Sequence, residues 1–216
     1  MRVSPLLTGR ACARSVTSSA VGQASASTIG PAPKLVVFDL DATLWLPEMY
    51  QLGEPPSAWC AEKGGVRAGR SVVRLFPGAQ HALREIVSSS RFAETRIALA
   101  SSTSEPGYAR DTLSLLRLHP HDEDSVLAKH VAFAELYPIA VKTAHFSRLQ
   151  KSSGIPYSEM LFFDDCNWSD NVGEVMAACP GVIGCRTPNG LTVELWEEGL
   201  RLFAEAALRR MSSAAP

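Results

Sequence analysis

Along the chain, short apolar runs alternate with longer stretches whose apolar positions recur at helical spacing. Leu35-Val36-Val37-Phe38, Ile97-Ala98-Leu99-Ala100 and Met160-Leu161-Phe162-Phe163 are apolar at every position. Runs of that kind predict strands covered on both faces, the condition of a parallel sheet between helices. Val182-Ile183-Gly184-Cys185 reads as a further strand. Between these runs, residues 78–88, 104–118 and 141–153 carry the helical period, and a closing helix is expected from about residue 191 to 209. The alternation predicts an α/β fold: a doubly wound, Rossmann-like parallel sheet flanked by helices. Residues 66–76 alternate instead with period two, as a small hairpin would.

The first 33 residues differ in kind. Ser, Ala, Thr and Gly dominate, Arg2, Arg10 and Arg14 are spread among them, and the first acidic residue of the whole chain is Asp39. This is the composition of an organelle transit peptide and equally of a plain disordered extension, since neither holds enough large apolar residues to fold alone. A mitochondrial or plastid location is expected in the first case and a cytoplasmic one in the second. Residues 34–210 then form one domain.

Composition narrows the partners. Of 216 residues, 46% are hydrophobic and 20% charged, which fits one globular core. Twenty-one Lys and Arg against 22 Asp and Glu give no electrostatic reason to expect nucleic acid or acidic lipid. The longest apolar stretches are interrupted by Asp, Arg or Gly before reaching membrane-spanning length, so no membrane association is expected. Five scattered cysteines with no CxxC pair argue against a disulfide framework and against structural zinc. A monomer is expected.

Ligands of such sheets bind beyond the carboxyl ends of the strands. There the sequence places Asp39 and Asp41 after the first run, Ser101 and Ser102 after the second, and Asp164 and Asp165 after the run at 160–163. Four converging carboxylates repel, by roughly 4 kcal/mol for two charges 4 Å apart at an effective dielectric of 20. A cation must offset them. Oxygen ligands suit a hard divalent ion such as Mg²⁺, and a lysine is the other candidate.

The motif Phe38-Asp39-Leu40-Asp41-Ala42-Thr43-Leu44-Trp45 resembles the DxDxT signature of the haloacid dehalogenase (HAD) superfamily. Ser101, Lys142 and Phe163-Asp164-Asp165 follow in the order of its other three motifs. The DLDxTLW opening, the stretch from Ala100 to Glu105, and His145-Phe146-Ser147-Arg148-Leu149-Gln150 before Gly154-Ile155-Pro156 are similar to the small eukaryotic magnesium-dependent phosphatases. The resemblance implies a phosphomonoester hydrolase with Asp39 as nucleophile and Asp41 as general acid and base. It also implies Mg²⁺ held by the carboxylates of Asp39 and Asp165 and the backbone carbonyl of Asp41. Ser101, Ser102 and the N–H groups beyond them would bind phosphoryl oxygens, Lys142 would balance charge, and Asp164 would fix the loop from behind. Ser102 stands where those phosphatases have arginine. The segment 166–171 is longer than theirs, leaving any role of Asn171 open.

The interval between Trp45 and Phe76 is too short for a helical cap, so the resemblance implies a minimal cap and an open site. Phosphotyrosine protein, glycated residues or sugar phosphates would fit such a site. Arg67, Arg70 and Arg74 would reach a substrate from the hairpin or, on the plainer reading, only keep its face charged. A catalytically silent phospho-ligand module is the alternative to an enzyme.

Overall fold

The computed structural model describes residues 30–138 and 141–213. The transit-peptide reading therefore lies outside the described residues. The chain runs β1 (Leu35–Phe38), β2 (Trp45–Leu46), β3 (Pro56–Cys60), β4 (Gly65–Ala68), β5 (Ser71–Leu75), α1 (Pro77–Ser88), β6 (Arg96–Ser101), α2 (Pro106–Leu115), β7 (Val131–Leu136), α3 (Lys142–Ser153), β8 (Met160–Asp164), α4 (Asn171–Ala178), β9 (Ile183–Arg186) and α5 (Val193–Ser213).

Five strands form a parallel sheet in the order β7-β6-β1-β8-β9. The order reverses at β1, which lies in the middle with β6 on one side and β8 on the other, as in doubly wound folds. Strand alternation divides the apolar runs between two cores. Val36, Phe38, Ile97, Leu99, Leu161 and Phe163 face α1, α2 and α5, whereas Leu35, Val37, Ala98, Ala100, Met160 and Phe162 face α3 and α4. On the first face Phe38 stacks on Phe163 with centroids 5.6 Å apart, and Trp196 of α5 sits 5.7 Å from Phe163. The Trp196 indole N–H donates to Glu85 Oε2 at 2.6 Å, satisfying its polar atom inside the cluster. Gly199 is needed here, because a Cβ would lie 2.5 Å from the Phe163 ring.

The expected hairpin is present as β4 and β5, and it is larger than expected. β3 extends it on one side and β2 on the other, giving a four-stranded antiparallel sheet. That sheet packs on α2, and the Trp59 indole N–H donates across to Pro120 O at 3.1 Å. Strand β7 was not anticipated from the sequence. Its residues alternate between partial burial and exposure, as an edge strand's do, and its apolar content is too dilute to stand out alone. Within the described residues, no helix is long and apolar enough to cross a membrane.

Candidate active site

The site grows from the carboxyl ends of β1, β6 and β8. One hydrogen bond beyond the β1–β8 ladder, Asp39 N–H to Phe163 O at 2.9 Å, sets Asp39 beside Asp164. After Asp39 the chain folds back on Leu40, whose carbonyl accepts from Leu44 N at 2.8 Å and from Thr43 N at 3.3 Å. The turn carries Ala42 at φ 57°, and a second non-glycine residue with positive φ, Cys166 at 56°, immediately follows Asp165. Among the described residues these are the two of their kind, and each stands next to a carboxylate of the site. Backbone conformations of that sort cost energy and concentrate where a side chain must be aimed.

The turn gives Asp41 partners different from those of Asp39. Its Oδ1 accepts from the buried Trp45 indole N–H at 2.8 Å and from Met49 N–H at 3.1 Å. Asp39 instead receives charge. Lys142 is the first residue of α3, a poor place for a cation in the field of the helix dipole, so its partners rather than the helix fix it. Its Nζ donates to Asp39 Oδ1 at 2.5 Å and to Ala100 O at 2.6 Å, and lies 3.0 Å from Asp164 Oδ2. Those three acceptors match the three protons of an ammonium group. Lys142 is 3% exposed and Asp164 fully buried.

Ser101 ends β6, and its carbonyl accepts from Tyr137 N–H at 3.3 Å. His145 Nε2 lies 3.2 Å from the same oxygen, with its ring stacked on Tyr137 at 4.5 Å. Burial, with Lys142 nearby, holds the His145 pKa down at about 4. The imidazole is therefore neutral at physiological pH and joins α3 to the Ser101 loop without adding charge.

Asp164 is anchored from behind. Its Oδ1 accepts from Cys166 N–H and from Asn171 Nδ2, both at 2.9 Å. Asp165 Oδ2 accepts from Asn167 N–H at 3.0 Å. Carboxylate oxygens of Asp39, Asp164 and Asp165 come within 4.8 Å of one another. Burial first, then the charges of Asp164 and Asp165, push the Asp39 carboxyl up to about 7 against the pull of Lys142. Asp41 and Asp165 are likewise raised, chiefly by burial. A single lysine thus leaves this carboxylate group short of positive charge, and the all-oxygen donor set fits a hard divalent cation.

A cavity of about 630 Å³ opens over these groups. Asp39, Asp41, Ser101, Ser102, Lys142 and Asp165 all line it, so the structure brings together six of the seven residues expected from sequence. Asp164 lies behind the wall, consistent with a loop-fixing place. Arg67, Arg70 and Arg74 do not line it, and Arg74 Nε donates to Lys63 O at 2.7 Å in the turn between β3 and β4. Glu48, Tyr50, Trp168 and Glu174 line the mouth and were not anticipated. They occupy irregular segments or a helix start, where no periodicity marks a functional position. Asn171 carried a weak signal at best, because its contact with Asp164 depends on where α4 begins.

The model of the acid phosphatase family matches residues 31–206, nearly the whole of the described chain. The chain belongs to the acid phosphatase family. The relationship to the small magnesium-dependent phosphatases, expected from motifs, is borne out. Human magnesium-dependent phosphatase 1 is 35% identical over 175 residues, covering 81% of this chain and 89% of that protein. A HAD-like hydrolase superfamily protein of Schizosaccharomyces pombe is 29% identical over 135 residues, covering 62% and 76% respectively. Among solved structures, the Mg-complexed N-terminal part of the Bacteroides fragilis protein BF1531, containing a phosphatase domain, superposes with a TM-score of 0.50 at 18% identity. That match covers 84% of this chain, which spans only 41% of the other. A haloacid dehalogenase-like hydrolase from Xanthomonas campestris gives 0.50 at 14% identity, covering 83% of this chain and 100% of that one. These likenesses agree with the HAD-type fold of this acid phosphatase family member.

Proposed function

We propose that this protein is a magnesium-dependent phosphomonoester hydrolase working through an aspartyl-phosphate. The observation that carries the reading is the unequal treatment of two aspartates at one cavity. Asp39 faces a buried ammonium group, while Asp41 is held by two neutral N–H donors. Neighbouring carboxylates in different environments take different parts in a reaction.

Asp39 attacks phosphorus through a carboxylate oxygen, and the bond from phosphorus to the leaving oxygen breaks. Asp41, whose pKa burial has raised, delivers its proton to that oxygen, and the alcohol departs. A water molecule then attacks the aspartyl-phosphate, losing a proton to Asp41. The bond from phosphorus to Asp39 breaks and inorganic phosphate is released. Ser101 and the N–H groups that follow it bind phosphoryl oxygens, with Ser102 at the exposed edge. Lys142 favours the ionised form of Asp39 and aligns it. Asp39, Asp165 and the Asp41 carbonyl would hold Mg²⁺, all three residues lining the cavity, whereas Asp164 lies behind its wall with Oδ1 taken by Cys166 and Asn171. When bound, the ion neutralises charge on the nucleophile and the phosphoryl group.

The open mouth suits phosphotyrosine in a protein, phosphorylated glycated residues or sugar phosphates. A silent binding module would be expected to have lost Asp39 or Asp41, and both are in place. The test is hydrolysis of an aryl phosphate with Mg²⁺ and with chelator, beside Asp39→Asn. Turnover that needs Mg²⁺ and disappears in the variant is expected; turnover surviving in Asp39→Asn would sink the mechanism.

A further inference from the structure

Two aromatic side chains stand in water at the mouth of the cavity. Trp168 is 82% exposed and Tyr50 53% exposed, and both line the cavity. Glu48, adjacent in sequence to Met49 and Tyr50, lines the same cavity. Their position relative to the chemistry is fixed by the backbone. Met49, whose N–H holds the Asp41 carboxylate, is fully buried, so Glu48 and Tyr50 on either side of it flank the proposed general acid. Trp168 rises from the other wall, three residues after Asp165.

The rest of the wall has one sign. Glu48 and Glu174 add two carboxylates at the mouth to Asp39, Asp41 and Asp165, against Lys142 alone among the described lining residues. Neither glutamate is needed for phosphoryl transfer. A large exposed aromatic surface beside a cavity is a place for a ligand to cover, and indole and phenol rings favour a flat partner. A second anion on the leaving group would meet Glu48 and Glu174 without a counter-charge.

The geometry points to Trp168, Tyr50 and Glu48 as the rim that selects the leaving group, favouring phosphomonoesters of flat, ring-bearing alcohols that carry no second anion. The inference rests on the phosphomonoester reading above and narrows it towards aryl rather than sugar substrates.

The test uses the full chain with Mg²⁺ on phenyl phosphate, glycerol 2-phosphate and 4-carboxyphenyl phosphate. Trp168→Ala, Trp168→Phe and Glu48→Gln are compared with the unchanged chain, and binding of phenylphosphonate, which is not hydrolysed, is followed by calorimetry. In Trp168→Ala the kcat/KM ratio of phenyl phosphate to glycerol 2-phosphate is expected to fall about tenfold, with recovery in Trp168→Phe. Glu48→Gln should raise the ratio of 4-carboxyphenyl to phenyl phosphate about threefold. If Mg²⁺-dependent turnover is present but the first ratio is unmoved by Trp168→Ala, the rim is overturned and the phosphatase reading stands. If no turnover occurs while phenylphosphonate binds and is weakened about tenfold by Trp168→Ala, the phosphatase reading falls and the rim is upheld. Phosphonate binding that is absent or indifferent to Trp168 overturns the rim.

Discussion

The two sheets of this molecule are built from strands of similar length and do different work. In the parallel sheet, β1 and β8 are buried at every position, β8 ends on Asp164 and β1 is followed at once by Asp39. In the antiparallel sheet, β3 and β5 each bury one residue fully and leave the rest half-buried or exposed, and none of β3, β4 or β5 reaches the cavity. The first sheet aims chemistry, because a rigid, doubly covered strand fixes the direction of the side chain just past its end. The second supports it from the side. Val66, Ala68 and Val73 share a core with Met49, and Thr112 Oγ1 lies 3.7 Å from Met49 Sδ, so the antiparallel sheet helps seat the segment that presents Glu48 and Tyr50. A cap that leaves the mouth open can still determine what stands at its edge.

If that contrast is right, the largest effect belongs to Asp39→Asn, with turnover reduced at least on the order of ten-thousandfold. Thermal stability without metal should hold or rise, because a buried charge is removed. A fall in stability matching the fall in activity would mean that Asp39 serves the fold rather than the reaction. Next, Phe163→Ala should cost about 3–5 kcal/mol in urea unfolding, since it empties the centre of the Phe38, Phe163 and Trp196 cluster. Val73→Ala in the antiparallel sheet should cost only about 1–2 kcal/mol and leave the carboxylates of the cavity undisturbed. Equal costs at these two positions would break the distinction between the sheets.

The last effect is a slope with pH. His145 holds a pKa of about 4 in the fold, below its ordinary value of 6.5, because burial disfavours the imidazolium. Between those values the unfolded chain binds the extra proton and the folded one does not. Its contribution is therefore complete above about pH 6.5 and is lost as pH falls towards 4, an effect of about 3 kcal/mol. Melting curves of His145→Gln over that window should be flatter than those of the unchanged chain, and an identical slope would assign the pH dependence to other groups.

Much of the central sheet is written locally. Leu35-Val36-Val37-Phe38 and Met160-Leu161-Phe162-Phe163 need no context to be read as buried strands, since an all-apolar run of that length is stable only when both faces are covered. The spacing of Asp39, Asp41 and Thr43 likewise belongs to one turn, so the site's first motif is legible without a fold. Strand β7 was decided elsewhere: its half-exposed residues form a strand because β6 offers a free edge for backbone hydrogen bonds. The same holds for contacts that join distant positions, such as Lys142 with Asp39 and Asn171 with Asp164.

What the sequence determined by itself was the central strands β1, β6 and β8 with their helices, the carboxyl-end placement of the aspartates and their kinship. Tertiary structure alone showed that Asn171 holds Asp164 behind the cavity and that Glu48, Tyr50 and Trp168 share its mouth. The reason is physical: periodicity and motif spacing express interactions within a few residues of chain. The direction of a side chain beyond a strand end is set by partners that only packing brings near.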